Sequence, residues 1–286
     1  MPSADITEFR RVLASSKKIL VLSGAGLSAA SGIPTFRGEG GQWGKYNASD
    51  LAHRSAFEED QSRVWKFFHY WRELIRGKHP NEAHYVLARL AIPGIRHAIA
   101  PDSKLTHITQ NIDMLCTRAL TETESALMQL SDSEIIEMHG RILDVICTSN
   151  HDCDYHATNV DSPICPGLAG TETKVAAGDW TAVVKRKDLP MCPRLGCGQM
   201  LRPDVVWFGE RPKRIEEILE LASEADLCLV VGTSAIVQPA SRIGGMVKEH
   251  GGKVAVFDIE KSNHAEEADF LFLGPCETKL KEVLGV

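Results

Sequence analysis

Short apolar runs alternate with amphipathic stretches along most of the chain. Several runs are apolar on both faces, and helical patterns such as RIEEILELASEA at 214–225 lie between them. The runs are ILVLSG at 19–24, LTHITQN at 105–111, EIIEMHG at 134–140, LCLVVGTS at 227–234, VAVFDIE at 254–260 and FLFLG at 270–274. Strands buried on both faces are typical of parallel sheets covered by helices. The pattern therefore predicts an α/β fold with a Rossmann-like, mostly parallel sheet.

Two segments interrupt this alternation. Residues 42–95 have helical patterns, of which FEEDQSRVWKFFHYWRELI at 57–75 is the longest, and residues 141–205 are rich in turn formers. We predict that the helical insertion (42–95) and the turn-rich insertion (141–205) together build a smaller domain. The larger, Rossmann-like domain is predicted to consist of residues 1–41, 96–140 and 206–286.

Composition and charge narrow the class of protein. The chain has 286 residues, of which 43% are hydrophobic, and this allows a substantial core in one or two domains. The net charge of −6 argues against a broad basic surface, so direct binding to nucleic acid is not expected. No apolar run is long enough to cross a bilayer, and no membrane partner is expected. The first residues lack an apolar signal core and carry Asp5 and Glu8, which favours the cytoplasm or nucleus over mitochondria.

A loop rich in small residues follows the first apolar run. In GAGLSAASGIPTFRGEGG at 24–41, Gly24 and Gly26 match the first two glycines of a dinucleotide fingerprint. Such a loop lets the main chain approach a pyrophosphate and begin a helix facing the anion. The third glycine position is Ala29, and no acidic residue follows in a clear strand at the distance used for ribose. The loop therefore predicts phosphate binding but does not favour an ordinary dehydrogenase.

Four of the eight cysteines form two close pairs in the turn-rich segment. Five residues separate Cys147 from Cys153, and four separate Cys192 from Cys197. Two thiolate pairs at such spacing favour a tetrahedral zinc that stabilises a module with little core. Because the first spacing is long for a zinc knuckle, His151 and Cys165 are alternative ligands. We predict a structural zinc ion.

The motifs together, and their order, resemble the sirtuin family of NAD-dependent protein lysine deacylases. Beside the small-residue loop and the cysteine pairs, they are TQNID at 109–113, HG at 139–140, VVWFGE at 205–210, GTS at 232–234 and GPC at 274–276. The resemblance covers nearly the whole chain. It implies that NAD is consumed as a co-substrate, that the zinc is structural, and that acyl-lysine proteins or peptides are the partners.

The resemblance also implies roles for individual residues. His139 is the expected general base, since imidazole titrates near neutral pH, and Asn111 is the expected second catalytic residue, which holds the ribose. The remaining cofactor-binding residues are predicted to be Gly24, Ala25, Gly26, Ser28, Phe36, Arg37, Trp43, Gln110, Ile112, Asp113, Gly232, Thr233, Ser234, Asp258, Glu260 and Cys276. The substrate peptide is expected to pair with a segment that includes Val206, Phe208, Gly209 and Glu210.

The residues predicted to line the acyl pocket differ from those of the sirtuin subclass that the surrounding motifs resemble. That mitochondrial and bacterial subclass removes acidic acyl groups and carries a tyrosine followed three residues later by an arginine. Phe68 and Trp71 stand at these positions here, while Ala52 matches a small residue that keeps the pocket roomy. A buried carboxylate without a cation is costly, so the sequence predicts a preference for acetyl or longer apolar acyl groups.

Three alternatives to this function remain open from the sequence. Arg72, one position after Trp71, could supply the charge for succinyl or malonyl groups. The same NAD site could serve a mono-ADP-ribosyltransferase. A non-catalytic, NAD-sensing zinc scaffold is the third alternative.

Overall fold

The computed structural model describes residues 1–35, 42–43, 46–149, 153–233, 237–261 and 268–286, and of Gln42 and Trp43 it describes only the main chain. The strands are β1 (Lys18–Ser23), β2 (Gln42–Trp43), β3 (Tyr46–Asn47), β4 (Lys104–Thr109), β5 (Glu134–Glu137), β6 (Gly140–Cys147), β7 (His156–Thr158), β8 (Leu201–Val205), β9 (Leu227–Val231), β10 (Lys253–Asp258) and β11 (Phe270–Leu273). The helices are α1 (Ile6–Ser15), α2 (Ala25–Ala29), α3 (Ala48–Leu51), α4 (Arg54–Glu59), α5 (Gln61–Arg76), α6 (Glu82–Ala91), α7 (Pro93–Ile99), α8 (Leu115–Leu127), α9 (Thr171–Ala176), α10 (Ile215–Glu224), α11 (Ile243–Glu249) and α12 (Cys276–Leu284).

The six predicted apolar runs form one six-stranded sheet. Its order is β11-β10-β9-β1-β4-β5, and every neighbouring pair is parallel. From β1 the chain adds β4 and β5 on one side and then β9, β10 and β11 on the other, which is the order of a Rossmann fold. The predicted fold class is confirmed.

Alternate residues of the strands enter two apolar clusters. In β1, Ile19 and Val21 belong to one cluster, and Leu20 and Leu22 belong to the other. The first cluster also takes buried residues from α1, α6, α8 and α12, and the second takes them from α10 and α11. The strands are therefore apolar on both faces because helices bury both faces.

The helices begin at residues that suit their first turn. Asp5 caps α1 by accepting hydrogen bonds from the N–H groups of Thr7 and Glu8. Asp60 caps α5 in the same way through Arg63 N–H, and α7 begins with a proline at its first position. Among the described residues, no helix is both long and apolar enough to span a membrane.

The chain divides into two compact units. The first, here the sheet unit, comprises residues 1–33, 79–138 and 213–286, and the second, here the small unit, comprises residues 34–78 and 139–212. The predicted helical insertion extended to residue 95, whereas α6 belongs to the sheet unit. The physical reason is that Val86, Leu87 and Leu90 are buried in the same cluster as α1 and α12. Residues 139–140 and 206–212, which are predicted for the larger domain, also belong to the small unit. The division into a cofactor domain and a smaller domain otherwise stays a prediction.

The small unit has its own sheet and helices. β6 lies between β7 and β8, and both of its pairings are antiparallel. The helices of this unit are α3, α4, α5 and α9. In α5, Trp65 Nε1 donates a hydrogen bond to the carbonyl oxygen of Leu201 at 3.0 Å, which ties the helix to β8.

Candidate functional site

Three glycines bring the ends of β1 and β9 into main-chain contact. Gly24 N–H donates to the carbonyl oxygen of Val231 at 3.0 Å, and Gly26 N–H donates to that of Gly232 at 2.7 Å. A Cβ atom at Gly26 would lie 2.8 Å from Gly232 Cα, and one at Gly232 would lie 2.4 Å from the nitrogen of Leu27. Gly232 also has a φ of +56°, which disfavours side chains. The glycines that the sequence assigns to a phosphate loop are thus also required by this contact.

Ser28, Asn111 and Asp113 form one hydrogen-bonded group beside the three glycines. Ser28 Oγ donates to Asp113 Oδ2 at 2.6 Å. Asn111 Nδ2 donates to Ser28 Oγ at 3.1 Å and to the carbonyl oxygen of Gly24 at 3.0 Å. Both amide hydrogens of Asn111 are used in this way. Oδ1 is therefore the atom of this side chain that can accept a hydrogen bond from a hydroxyl group.

Asp113 is almost fully buried within this group. Burial raises the pKa of its carboxyl, whereas the hydrogen bonds from Ser28 and from the N–H of Leu115 lower it. Since the Ser28 hydroxyl has a single hydrogen and donates it to Asp113, Ser28 has no hydrogen to give to a phosphate in this arrangement. A direct contact between Ser28 and the cofactor stays a prediction.

His84 completes the group and is not among the residues that the sequence motifs predict for this site. Its Nδ1 accepts a hydrogen bond from Asn81 N–H at 3.2 Å, so the ring hydrogen resides on Nε2, which lies 3.4 Å from Ser28 Oγ. Burial lowers the pKa of His84 to about 3, so the ring is neutral at pH 7. The available signal was a histidine three residues after an asparagine cap, the spacing of a capping box.

Other predicted cofactor residues lie at the carboxyl ends of the neighbouring strands. Gln110, which follows β4, donates from Nε2 to Thr233 Oγ1 at 3.0 Å, beyond the end of β9. Asp258 ends β10, and its carbonyl oxygen accepts the N–H of Gly274 at 2.9 Å. Cys276 is buried at the start of α12. Ala25 and Ile112 are half-buried, and Glu260 is exposed.

The remaining predicted cofactor residues are not placed. Phe36, Arg37 and Ser234 lie outside the described residues, and of Trp43 only the main chain is described. Their roles stay predictions.

In the small unit, His139 and the predicted peptide-binding segment are joined through the main chain. The carbonyl oxygen of His139, directly before β6, accepts Val206 N–H at 2.8 Å. Phe208 N–H donates to the carbonyl oxygen of Ala52 at 2.9 Å. These two N–H groups are used within the small unit, so pairing with a substrate peptide would use other main-chain groups of the segment.

Arg202 and Glu210 hold the predicted peptide-binding segment through side-chain contacts. Glu210 Oε1 accepts from Arg202 Nη1 at 3.1 Å, and Oε2 accepts the N–H of Trp207 at 3.1 Å. The Arg202 guanidinium lies 4.3 Å from the centre of the Trp207 ring, and Gly209 turns the chain with a φ of +86°. The bracing roles of Arg202 and Trp207 were not foreseen, because sequence spacing does not show which side chains meet across a strand end.

Phe68 and Trp71 are both buried on one face of α5. The Phe68 ring lies 6.4 Å from the ring of Trp207 and 5.2 Å from that of Phe67. The Trp71 ring lies 6.4 Å from that of Phe67. The structure therefore brings Phe68 into contact with the predicted peptide-binding segment through an aromatic cluster.

Arg72 is engaged on a different side of α5. Its Nη1 donates to the carbonyl oxygen of Ile142 at 2.9 Å, and its Nη2 donates to the carbonyl oxygen and Oδ1 of Asn159 at 2.7 and 3.0 Å. Burial lowers the pKa of Arg72 to about 10, so the guanidinium remains charged at pH 7. To serve a carboxylate on the Phe68 face, Arg72 would have to give up these three hydrogen bonds.

The two cysteine pairs come together in space. The Sγ atoms of Cys147, Cys153, Cys192 and Cys197 all lie within 4.8 Å of one another. Cys147 and Cys197 are 3.5 Å apart, and Cys153 and Cys192 are 3.6 Å apart. A tetrahedral zinc with Zn–S bonds of about 2.3 Å separates its sulfurs by about 3.8 Å, so these four thiols fit a structural zinc.

The structure describes one of the two alternative zinc ligands, Cys165, but not His151. Cys165 is not part of the cysteine group, and its Sγ donates to the carbonyl oxygen of Asp188 at 3.2 Å. The suggestion that Cys165 replaces a ligand is therefore wrong. His151 lies outside the described residues.

Comparison with known proteins identifies relatives along the whole chain. The Sir2 family profile matches residues 24–239. A protein from Canis lupus familiaris, named NAD-dependent protein deacylase sirtuin-5, mitochondrial, is 41% identical over 99% of this chain and 86% of its own length. A protein from Pyrococcus abyssi, named NAD-dependent protein deacylase, is 39% identical over 98% of this chain and 96% of its own length.

Solved structures agree with these sequence matches. A Sir2 homologue in complex with NAD has a TM-score of 0.78 and 30% identity, over 100% of this chain and 95% of its own. A Sir2 protein with a p53 peptide and NAD+ has a TM-score of 0.71 and 25% identity, over 98% of both chains. The resemblance inferred from the motifs is confirmed, and the chain belongs to the Sir2 family, the sirtuins.

Proposed function

We propose that this protein is an NAD-dependent protein lysine deacylase with a structural zinc ion. The observation that carries the proposal is the contact of Gly24 and Gly26 with Gly232, at the point where a Rossmann sheet reverses its strand order. Open α/β sheets bind their ligands outside the carboxyl ends of the strands at this point. Asn111 and Asp113, which the family motif TQNID assigns to the cofactor, lie beside the same contact.

Two residues of the chain would have separate roles in the deacylation reaction. NAD would supply the ribosyl bond that is broken and water would be consumed, and the products would be nicotinamide, free lysine and O-acyl-ADP-ribose. Oδ1 of Asn111 would accept a hydrogen bond from a ribose hydroxyl, because the amide hydrogens of this side chain already bind Gly24 and Ser28. His139 would take the proton from a ribose hydroxyl as general base.

The substrates would be acyl-lysine proteins or peptides. Support comes from the Sir2 protein solved with a p53 peptide and from the exposed Phe208 in the predicted peptide-binding segment, which is 41% exposed. For the compartment, the sequence favoured the cytoplasm or nucleus. Vertebrate relatives are named mitochondrial, so we propose the mitochondrion instead.

Mass spectrometry of an acyl-lysine peptide incubated with NAD distinguishes the proposed function from its alternatives. We expect deacylated peptide and O-acyl-ADP-ribose in equal amounts. ADP-ribosylated protein without O-acyl-ADP-ribose would instead indicate a mono-ADP-ribosyltransferase, and no product would favour an NAD-sensing scaffold. Either of these outcomes contradicts the deacylase proposal.

We further propose that neutral acyl groups are preferred to succinyl and malonyl groups. Support comes from the burial of Phe68 and Trp71 and from the three hydrogen bonds that hold Arg72 on another side of α5. A neutral chain gains about 0.8 kcal/mol per buried methylene. A carboxylate buried without a cation loses several kcal/mol.

The preference is measured as kcat/KM on one peptide that carries acetyl, butyryl, succinyl or malonyl groups. We expect kcat/KM for acetyl and butyryl to exceed that for succinyl by at least about tenfold. A buried carboxylate without a cation costs several kcal/mol, and a difference of about 1.4 kcal/mol already corresponds to a factor of ten. The double variant Phe68→Tyr, Trp71→Arg should raise desuccinylation and lower debutyrylation. Tyr70→Arg is the matched control, because it adds the same charge on another side of the helix. Preference of the unmodified protein for succinyl would contradict the neutral-acyl proposal while leaving deacylation intact.

A further inference from the structure

A second cluster of metal-ligating side chains lies on the small sheet. Asp144 of β6, His156 of β7 and Asp204 of β8 converge on one point. His156 Nε2 lies 3.0 Å from Asp204 Oδ2 and 3.6 Å from Asp144 Oδ2. One ligand atom from each residue lies within 4.8 Å of the other two. None of these residues takes part in the cysteine group or in the proposed deacylase site.

The two carboxylates are held close together in a poorly hydrated place. Asp144 is 5% exposed and Asp204 is 7% exposed. Like charges that are buried side by side destabilise each other unless a cation lies nearby. His156 Nε2 can present at most one hydrogen to the two carboxylates that it faces. A neutral or singly charged imidazole therefore leaves this cluster with net negative charge.

The groups around Asp144 leave one of its carboxylate oxygens directed at the imidazole. Thr158 Oγ1 donates to Asp144 Oδ1 at 2.6 Å, so Oδ2 is the oxygen that faces His156. Arg72 is a buried cation that interacts electrostatically with Asp144. Its guanidinium hydrogens, however, are directed to Ile142 and Asn159. Arg72 therefore lessens the negative charge of the cluster without bridging its two carboxylates.

We infer that Asp144, His156 and Asp204 bind one divalent first-row transition cation. Bonds of about 2.0–2.2 Å to an imidazole nitrogen and to carboxylate oxygens separate neighbouring ligand atoms by about 2.8–3.6 Å, the range from octahedral to tetrahedral angles. The observed 3.0 and 3.6 Å correspond to that geometry. One imidazole with two carboxylates is a harder ligand set than four thiolates, and it suits zinc, manganese, iron or nickel.

The exposure of the three ligands gives the site an entry side. His156 has 51% of its side chain exposed, whereas both carboxylates are buried. An ion would approach from the side of His156, with water completing its coordination. Because the ligands come from three strands, the ion would join β7 and β8 to β6 at the end of β8 from which the peptide-binding segment begins.

The test is equilibrium dialysis of the purified protein, with its cysteine-bound zinc, against buffered free Zn²⁺, followed by metal analysis. We expect the unmodified protein to retain one more zinc ion per chain than His156→Gln or Asp204→Asn. His250→Gln is the matched control, since it removes an exposed histidine of the sheet unit. A second measurement is the melting temperature, which added Zn²⁺ should raise in the unmodified protein and in His250→Gln but not in His156→Gln.

The result can also overturn the inference. Equal zinc content in the unmodified protein and in His156→Gln would show that the cluster is an Asp–His ion pair and not a metal site. Because His156 is half exposed, its replacement should leave folding intact, and this variant decides the question even if Asp204→Asn fails to fold. The outcome is independent of the deacylase proposal.

Discussion

Replacement of His139 by alanine is expected to lower kcat/KM for deacylation by at least about a hundredfold, the lower range for the loss of a general base. NAD binding should persist, because the glycine contact and the Asn111 group contain no atom of His139. Folding should also persist, since the hydrogen bond between His139 and Val206 uses the main-chain carbonyl oxygen, which alanine retains. Initial rates on an acetyl-lysine peptide and NAD affinity by calorimetry measure the two effects separately.

A matched variant excludes a general effect of removing an imidazole. His250→Ala removes an exposed histidine at the end of α11, and its turnover should equal that of the unmodified protein. If His139→Ala also retains near-normal turnover, His139 has no part in the mechanism.

Replacement of Cys192 by serine is expected to release the zinc ion and unfold the small unit. The thiol lies 3.6 Å from Cys153 Sγ within the group of four, and a hydroxyl is a poor substitute for a thiolate ligand. Structural zinc contributes about 10–16 kcal/mol of binding free energy in small zinc modules, which is comparable to the whole stability of a domain. Metal content after gel filtration, together with near-ultraviolet circular dichroism, measures both losses.

Cys165 provides the matched control for this experiment. It lies in the same turn-rich segment, but its Sγ donates a hydrogen bond to the carbonyl oxygen of Asp188, and it is not one of the four clustered cysteines. Cys165→Ser should keep the cysteine-bound zinc ion and a native spectrum. A Cys192→Ser protein that is free of metal yet folded and active would refute the structural role of zinc.

The sheet was predictable because its signal is carried by each strand on its own. Several of the runs around β1, β4, β5, β9, β10 and β11 are apolar on both faces, and all six become neighbours in the parallel sheet. The cysteine group was predictable for a similar reason. Two cysteine pairs at short spacing have few roles in a protein other than binding a metal, so the residue types alone indicate a zinc site.

The place of α6 was not predictable in the same way. Its apolar face indicates that Val86, Leu87 and Leu90 are buried, but periodicity does not say against which surface they pack. Because the sequence places residues 82–91 in the helical insertion, its pattern does not connect His84 with the cofactor loop. Only the structure shows its ring beside Ser28 and Asn81, at the end of β1. The same limit applies to Arg72, because sequence shows its charge but not the carbonyl groups that engage it.

The contact between the ends of β1 and β9 has a consequence for directed evolution. At positions 26 and 232 an added Cβ atom would meet main-chain atoms, and no substitution elsewhere removes a main chain. At position 24 an added Cβ atom would lie 2.6 Å from Thr233 Cβ and 3.0 Å from the carbonyl oxygen of Gly232, so loss of the Thr233 side chain is needed and relieves the closest contact. A library that randomises positions 24, 26, 232 and 233 should therefore return Gly26 and Gly232 unchanged in every active clone. Any escape at position 24 should carry Thr233→Gly as its companion.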